Sequence, residues 1–280
     1  MHISLLLTAL GLAIALRWVW RPTPDKTPLA WGMALSAFLI PPFVVLTTAI
    51  AVLAMGAEGK MFSIPVGSFG YWLGLGCLSI ALGTLAYRGW QGWRSLHQIQ
   101  SFPPLDRPNC EGYLLQTPAL FAGQIGFWHP QLILSEGLLA TLSPEQLTAV
   151  LTHEQAHLYY HDTFWFFWLG WVRDLTAWLP NTQPLWQELL LLREMRADRY
   201  AAQSVDPLAL AEALLQVAQA PTQMAAINCV ALHDTAPIRL EQRIDALLAE
   251  PSAIAPTPSK LQWLKWLWVL LPLLSVPFHS

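Results

Sequence analysis

The stretch "LTAVLTHEQAHLYYHD", residues 147–162, contains the pattern H-E-x-x-H, and the interpretation of the whole chain starts from it. A predicted helix begins just before it, and its capping residues are Ser143, Pro144 and Gln146. On this helix His153 and His157 lie one above the other on one face, so both imidazoles can reach one metal ion. Two histidines on a helix are more often surface or core residues than ligands, so the pattern needs support from elsewhere in the chain.

That support comes from "LLREMRADRYA", residues 191–201, where Glu194 and Asp198 are four positions apart on a second predicted helix. A catalytic zinc takes three protein ligands and keeps one position open for water. Glu194 can complete a His₂Glu site, and Asp198 can accept a hydrogen bond from a ligand imidazole. The alternative for these acids is a solvated helix face of ion pairs with neighbouring arginines. Because the segment follows a capped H-E-x-x-H helix, we favour the zinc site.

The remaining roles at such a site follow from its chemistry. Glu154 would take a proton from water and pass it to the leaving amine. Asp162 would cap its helix or orient another group of the active site. A partner for the oxyanion should also exist, and its candidates are Tyr159, Tyr160, His161, His233 and Arg243.

The composition indicates a membrane protein. Of 280 residues, 54% are hydrophobic and 12% are charged, against about 25% charged in soluble domains. The net charge of −3 offers no basic surface, so we expect no direct binding of nucleic acid. Three cysteines without C-x-x-C spacing, Cys77, Cys110 and Cys229, indicate neither a disulfide framework nor a cysteine zinc site.

Four apolar runs predict four transmembrane helices, at about residues 3–20, 29–55, 70–87 and 261–278. The first is favoured as a retained helix over a cleaved signal peptide, because its positive charges follow the run; Arg17 among them could reach the headgroups. The second run is longer than a bilayer core, so a tilt or a break at Pro41-Pro42 is expected. The predicted organisation is three spans within 1–95, a metallopeptidase domain over 96–258 and a fourth span within 259–280.

Lysine and arginine collect on one side of these spans, which predicts both termini outside and the domain over 96–258 in the cytoplasm. The residues that carry this bias are Arg17, Arg21, Lys26, Arg88, Arg94, Lys260 and Lys265.

Within the domain, a Pro-rich linker at 101–110 precedes short apolar runs that predict a small β-sheet, with strands at 113–116, 120–122 and 131–134. This sheet is either an edge for an extended peptide or an ordinary supporting hairpin. The aromatic run "FWFFWLGWV", residues 164–172, is too short to span and is either an interfacial or re-entrant segment, which we favour, or a buried core helix. Two further helices are predicted, one after Asp206-Pro207 and one at 236–250.

The segments "PEQLTAVLTHEQAHLYYHD" and "REMRADRYA" resemble the BlaR/MecR-type integral-membrane metallopeptidases of bacteria, and three spans before the peptidase segment with one after it also match. The related HtpX-like and CAAX-prenyl protease group usually has a longer insertion between the two motifs. The resemblance implies a gluzincin fold, one zinc ion per chain, endopeptidase activity and a place in the bacterial cytoplasmic membrane. It further implies cleavage of a cytoplasmic repressor in signal transduction, with self-cleavage. The sensors of that family continue into an extracellular antibiotic-binding domain, whereas this sequence stops at Ser280, so β-lactam sensing is not carried over.

Two other functions compete with this one. An HtpX-like quality-control protease would degrade damaged membrane proteins, and a catalytically silent membrane scaffold would bind a repressor or sensor partner. The expected partners are the lipid bilayer and a cytoplasmic protein substrate, and the sequence leaves open a separate sensor subunit and a homodimer.

Overall fold

The structure is a computed structural model that describes residues 2–20, 30–58, 60–61, 64–65, 68–105, 111–220, 239–249 and 260–278. The chain divides into two compact units. Unit 1 comprises Met1–Ala86, Gly170–Leu189 and Ala253–Ser280, and unit 2 comprises Tyr87–Leu169 and Leu190–Ser252. Several residues named above lie outside the described residues, namely Arg21, Lys26, Cys110, Cys229 and His233, together with residues 106–110 of the predicted linker.

Three helices are long and apolar enough to cross a membrane: α1 (His2–Val19), α2 (Trp31–Met55) and α3 (Ser68–Ile99). α2 is one continuous helix through Pro41 and Pro42, so the predicted break is not found. Its 25 residues extend about 38 Å, which a bilayer core of about 30 Å accommodates by tilt. α3 continues twelve residues beyond the predicted end at Tyr87, and its final part belongs to unit 2.

The predicted fourth span is not confirmed. Residues Lys260–Phe278 form a 3₁₀ helix, and its apolar described part, Trp266–Pro277, is shorter than a membrane-spanning helix. Pro272 and Pro277 lie inside it, and proline supplies no N–H for a regular helix. The segment packs on α2, where the hydroxyl of Thr47 donates to the carbonyl of Val269 at 2.7 Å.

Arg17 does not reach outward from α1 as expected. Its side chain is fully buried in unit 1, and Nη2 donates to the carbonyl oxygen of Phe38 on α2 at 2.9 Å. The guanidinium also lies 5.2 Å from the centroid of the Phe38 ring. A charge near the end of an apolar helix therefore contacts a neighbouring helix instead of solvent, and among the described residues the Nε and Nη1 atoms of Arg17 have no hydrogen-bond partner. A short hairpin, β1 (Lys60–Met61) and β2 (Ile64–Pro65), follows α2.

Unit 2 contains a three-stranded sheet whose strands are β3 (Gly112–Leu115), β4 (Ala122–Ile125) and β5 (Gln131–Ser135). β5 is central, parallel to β3 and antiparallel to β4. The first and third strands lie within a residue of their predicted positions. The second was predicted at 120–122 and is displaced to Ala122–Ile125, because pairing with β5 overrides the weak strand propensity of Gly123 and Gln124.

The helices that follow the sheet are α4 (Glu136–Thr141), α5 (Pro144–Tyr159), α6 (Asp162–Leu175), α7 (Thr182–Ala201), α8 (Pro207–Gln219) and α9 (Leu240–Leu248). The predicted cap of α5 is confirmed: the Ser143 hydroxyl accepts from the Gln146 amide at 3.2 Å, and the Ser143 amide donates to Gln146 Oε1 at 3.0 Å. Asp206 caps α8 in the same way, through the Leu208 amide at 3.0 Å. A core of Leu134, Leu138, Leu147, Val150 and Ala213 holds α5 against β5, α4 and α8.

Candidate metal centre

Three side chains of unit 2 converge on one point. His153 and His157 come from α5 and Glu194 comes from α7, and their ligand atoms all lie within 4.8 Å of one another. The two histidine Nε2 atoms are 3.1 Å apart, and Glu194 places Oε2 at 3.3 Å from His153 Nε2 and Oε1 at 3.8 Å from His157 Nε2. His153 is 7% exposed and Glu194 is 8% exposed, so the alternative of a solvated helix face does not describe Glu194.

The other ring nitrogen of each histidine faces a carboxylate. His157 Nδ1 lies 2.8 Å from Asp162 Oδ2, and His153 Nδ1 lies 2.9 Å from Asp198 Oδ1. The first contact is a hydrogen bond, and the second is an ion-pair contact at hydrogen-bonding distance. A carboxylate at Nδ1 favours the tautomer that carries its proton there, and this tautomer leaves the Nε2 lone pair free to bind a metal.

The spacing of the Nε2 atoms fits a cation. If both rings carried their single proton on Nδ1, two lone pairs would meet across 3.1 Å, an arrangement that a positive charge between them would relieve. Ligand atoms bound at 2.0–2.1 Å around a tetrahedral zinc are spaced by about 3.3 Å. The two Nε2 atoms are 3.1 Å apart, and each has an oxygen of Glu194 within 3.8 Å, so a small adjustment of the Glu194 carboxylate would bring one oxygen to the spacing that zinc needs. The residues present therefore fit a zinc ion.

The electrostatics of the centre agree with this fit. Burial alone would lower the pKa of His153, but hydrogen bonds and charges from Asp198 and Glu194 outweigh it and raise the pKa to about 10. Burial opposes ionisation of Glu194, yet the charges of Arg193, Arg243 and His157 hold the pKa of this carboxyl well below its usual range. Glu194 is thus ionised at neutral pH, and the point where the side chains meet favours positive charge.

Arg243, on α9, lies behind the centre. Its Nε and Nη2 donate to Asp198 Oδ2 and Oδ1, both at 2.8 Å, and its Nη1 lies 3.4 Å from Glu194 Oε2. This guanidinium is nearly buried, and it holds the pKa of Asp198 below its ordinary value against the effect of burial. The sequence named Arg243 only as an oxyanion candidate. In the structure Arg243 contacts the carboxylates of Asp198 and Glu194, which both lie beside His153.

Glu154 lies next to His153 on α5 and is 8% exposed. Among the described residues, its Oε2 atom has no hydrogen-bond partner. Its charge contributes, after those of Asp198 and Glu194, to raising the pKa of Arg243. A buried carboxylate oxygen that lacks a partner beside two histidines is a suitable acceptor for a proton from water.

The other oxyanion candidates that the structure describes make different contacts. Tyr159 is 64% exposed and packs on Tyr160 and Tyr200. The Tyr160 ring lies 4.1 Å below the guanidinium of Arg196. His161 occupies the turn between α5 and α6 with a φ of 53°. These contacts of Tyr159, Tyr160 and His161 do not involve His153, His157 or Glu194.

Arginine contacts complete the surroundings of the centre. Arg196 Nη2 binds Asp162 Oδ1, so Asp162 is held between Arg196 and His157. Arg193 Nη2 lies 2.7 Å from Glu194 Oε1, and its guanidinium lies 4.7 Å from the ring centroid of Phe166. Sequence reasoning considered Arg193 and Arg196 only as partners within their own helix, and the cross-helix contact of Arg196 has no local signature.

Comparison with known families finds one match: residues 104–187 match the family model of Peptidase family M48. The matched segment includes His153, Glu154, His157 and Asp162 and ends before Glu194. Neither curated proteins nor solved structures provide a match. The family match supports a membrane-type zinc metallopeptidase, and the more specific resemblance to BlaR/MecR proteins is not confirmed.

Proposed function

We propose that this chain is a membrane-bound, zinc-dependent endopeptidase whose centre consists of His153, His157 and Glu194. The observation that carries the proposal is the convergence of these three ligand atoms within 4.8 Å, with a carboxylate beside each imidazole. It is supported by the match of residues 104–187 to a peptidase family.

One zinc ion per chain, when bound, would supply the Lewis acidity that activates a water molecule and polarises a peptide carbonyl. Glu154 accepts the proton of the attacking water at its carboxylate and delivers it to the leaving amine. Asp198 and Asp162 lie at Nδ1 of His153 and His157 and would orient the two rings so that their Nε2 atoms face the ion. Arg243 keeps Asp198 and Glu194 ionised and in place.

The test is a comparison of zinc content and peptidase activity in detergent-purified protein. Glu154→Gln should keep one zinc per chain and lose about 10²–10⁴-fold in activity, since only the proton transfer is removed. Glu194→Ala should lose both zinc and activity. Glu136→Gln is the matched control, because Glu136 is exposed on α4 and should behave as wild type.

Three results would contradict the proposal. Zinc retained in Glu194→Ala would mean that another residue is the third ligand. Full peptidase activity in Glu154→Gln would show that Glu154 is not the general base. If neither wild type nor any variant contained zinc, and Glu154→Gln still performed the cellular function of the wild type, the catalytically silent scaffold would be favoured.

We further propose that the substrate is a cytoplasmic protein, with both termini of the chain outside the bacterial cytoplasmic membrane. β4 is an edge strand of the sheet, and Ala122 on it packs against the core that holds α5. An extended peptide could add to this edge by backbone pairing, as edge strands allow. The position of this edge strand of the described sheet beside the H-E-x-x-H helix favours a protein substrate over a small molecule.

Two substrate classes remain to be separated by experiment. A regulatory peptidase would cut one folded protein such as a transcriptional repressor at one position, and cut itself. A quality-control peptidase would degrade unfolded casein-like substrates at many positions. Digestion of both substrates by wild type and Glu154→Gln, followed by mass spectrometry of the products, distinguishes the classes. A dependence of cleavage on a second protein would identify a sensor subunit, and crosslinking would report a homodimer.

A further inference from the structure

We infer that an aromatic surface on unit 2 lies in the boundary between the headgroups and acyl chains of the bilayer. This aromatic surface combines the turn between β4 and β5 with the first half of α6. Its members are Phe127, Trp128, Phe164, Trp165, Phe167 and Trp168.

The rings of this surface form one packed group. The Phe127 ring centroid lies 4.9 Å from those of both Phe164 and Phe167, and Trp128 lies 5.0 Å from Phe164. Tilted and edge-on contacts at these distances favour a defined arrangement of the rings. The β4–β5 turn, which the sequence did not connect with residues 164–172, is therefore part of the same surface.

The outer face of the group is exposed to an unusual extent. Trp128 is 72% exposed, Trp165 is 56% exposed and Trp168 is 36% exposed. The neighbouring face of α6, about a quarter-turn away, is buried through Phe166 and Leu169. The helix thus has an apolar face turned inward and a second, aromatic face turned outward, whereas a helix on a wet surface shows charged residues there.

The contact of this aromatic surface with a candidate membrane span indicates that lipid covers it. α3 is one of the three helices able to cross a membrane, and its part within unit 2 exposes Tyr87, Trp90 and Trp93. Exposed Trp and Tyr residues on a spanning helix mark the level of the lipid headgroups. Arg88, on the same turn of α3, donates from Nη1 to the carbonyl oxygen of Phe167 at 3.4 Å. The aromatic surface therefore continues the aromatic belt of α3, and lipid is the environment that such a belt meets.

The proposal is independent of the peptidase assignment, since it involves none of the residues of the metal centre. If it holds, α6 contacts the membrane from Phe164 onwards, only two residues after Asp162. The carboxylate of Asp162 in turn contacts His157 Nδ1. The centre would then work close to the bilayer surface and meet protein segments that emerge from it.

The test uses single cysteines that carry an environment-sensitive fluorophore, in protein with Cys77, Cys110 and Cys229 changed to serine. The labelled positions are Trp128→Cys on the turn and Trp165→Cys on α6. The matched control is Gln203→Cys, which is exposed after the end of α7. Each protein is reconstituted into phosphatidylcholine vesicles, with and without lipids spin-labelled on the upper acyl chain, and is titrated with aqueous iodide.

Labels at positions 128 and 165 should emit at shorter wavelength than the label at 203, be quenched by the spin-labelled lipid and resist iodide. The label at 203 should show the reverse. Iodide quenching at 128 and 165 equal to that at 203 would overturn the proposal. Protection from both quenchers would also overturn it, in favour of a second copy or a protein partner. If Trp128→Cys does not fold, as judged by circular dichroism, the label at 165 decides alone.

Discussion

Asp162→Asn is the substitution that best isolates the orientation of a predicted zinc ligand. Asp162 is 3% exposed, and its two oxygens serve different partners, His157 Nδ1 at 2.8 Å and Arg196. Asparagine has the same size and keeps one acceptor oxygen, but replaces the other with an NH₂ donor. If this donor faces Arg196, two donors meet and that contact is lost. If it faces His157, the ring must carry its proton on Nε2, the atom required for metal.

Either orientation lowers zinc affinity. Removing a partner of this kind from a ligand histidine typically costs 10–100-fold in metal affinity. That range corresponds to about 1.4–2.8 kcal/mol of binding free energy. The loss should lie towards the upper end, because Asp162 is buried and water cannot take the place of the lost contact.

The assay is a competitive titration of zinc against a chelator at constant pH, with thermal unfolding of the metal-free protein measured in parallel. Asp245→Asn is the matched control, because Asp245 is exposed on α9 and should leave zinc affinity unchanged. If Asp162→Asn binds zinc as tightly as Asp245→Asn, the contact between Asp162 and His157 does not orient the ligand, and the reasoning is refuted.

Three other substitutions or conditions test separate parts of the structure. Ser143→Ala removes the cap of α5 and should lower the free energy of unfolding by about 0.5–2 kcal/mol in a denaturant titration; an unchanged midpoint would contradict the capping box. Arg243→Met leaves Asp198 buried without its cation, so it should lower the free energy of unfolding by about 3–5 kcal/mol and lower the melting temperature. A higher melting temperature would show that the fold does not need this ion pair. The pKa of His153 is raised from 6.5 to about 10 without metal, so its protonation stabilises the metal-free fold below pH 6.5, and this contribution disappears as the pH rises through 10. Zinc must displace that proton, so calorimetry at pH 7 in buffers of different ionisation enthalpy should detect about one proton released from His153; no release would mean that the ring is already neutral.

Local features of the fold could be predicted from the sequence because local chemistry determines them. The start of α5 follows from Ser143, Pro144 and Gln146, whose capping bonds involve only residues within three positions. The predicted strand at 120–122 was displaced because its position depends on the register with β5, a longer-range property. The fourth span was predicted from apolar composition alone, and composition does not show how Pro272 and Pro277 affect the helix type.

The residues brought together at the centre were predictable for the same reason. His153 and His157, and likewise Glu194 and Asp198, are spaced by one helical turn, so each pair shares a face whatever the fold. That the two faces meet could only be inferred from the chemistry of zinc, which needs a third ligand. The pairing of Arg196 with Asp162 and that of Arg243 with Asp198 join different helices, and no spacing in the sequence encodes them.

The position of Arg243 has a consequence for how folding and metal binding are related. Arg243 links α9 to the centre through its contacts with Asp198 and Glu194, 45 and 49 positions earlier in the sequence. Without zinc, Arg243 compensates the charge of both buried carboxylates, together with Arg193 at Glu194 and a protonated His153. When zinc takes the place of the His153 proton, the charge near the carboxylates rises by about one unit, since a dication replaces a single proton. Glu194 would then be a ligand of the ion, and Asp198 would remain the partner of Arg243 through its two contacts at 2.8 Å. The Arg243–Asp198 pair should therefore persist in both states and, with Leu247 packed on Ala149, Ala201 and Leu210, keep α9 docked while the centre gains or loses its ion.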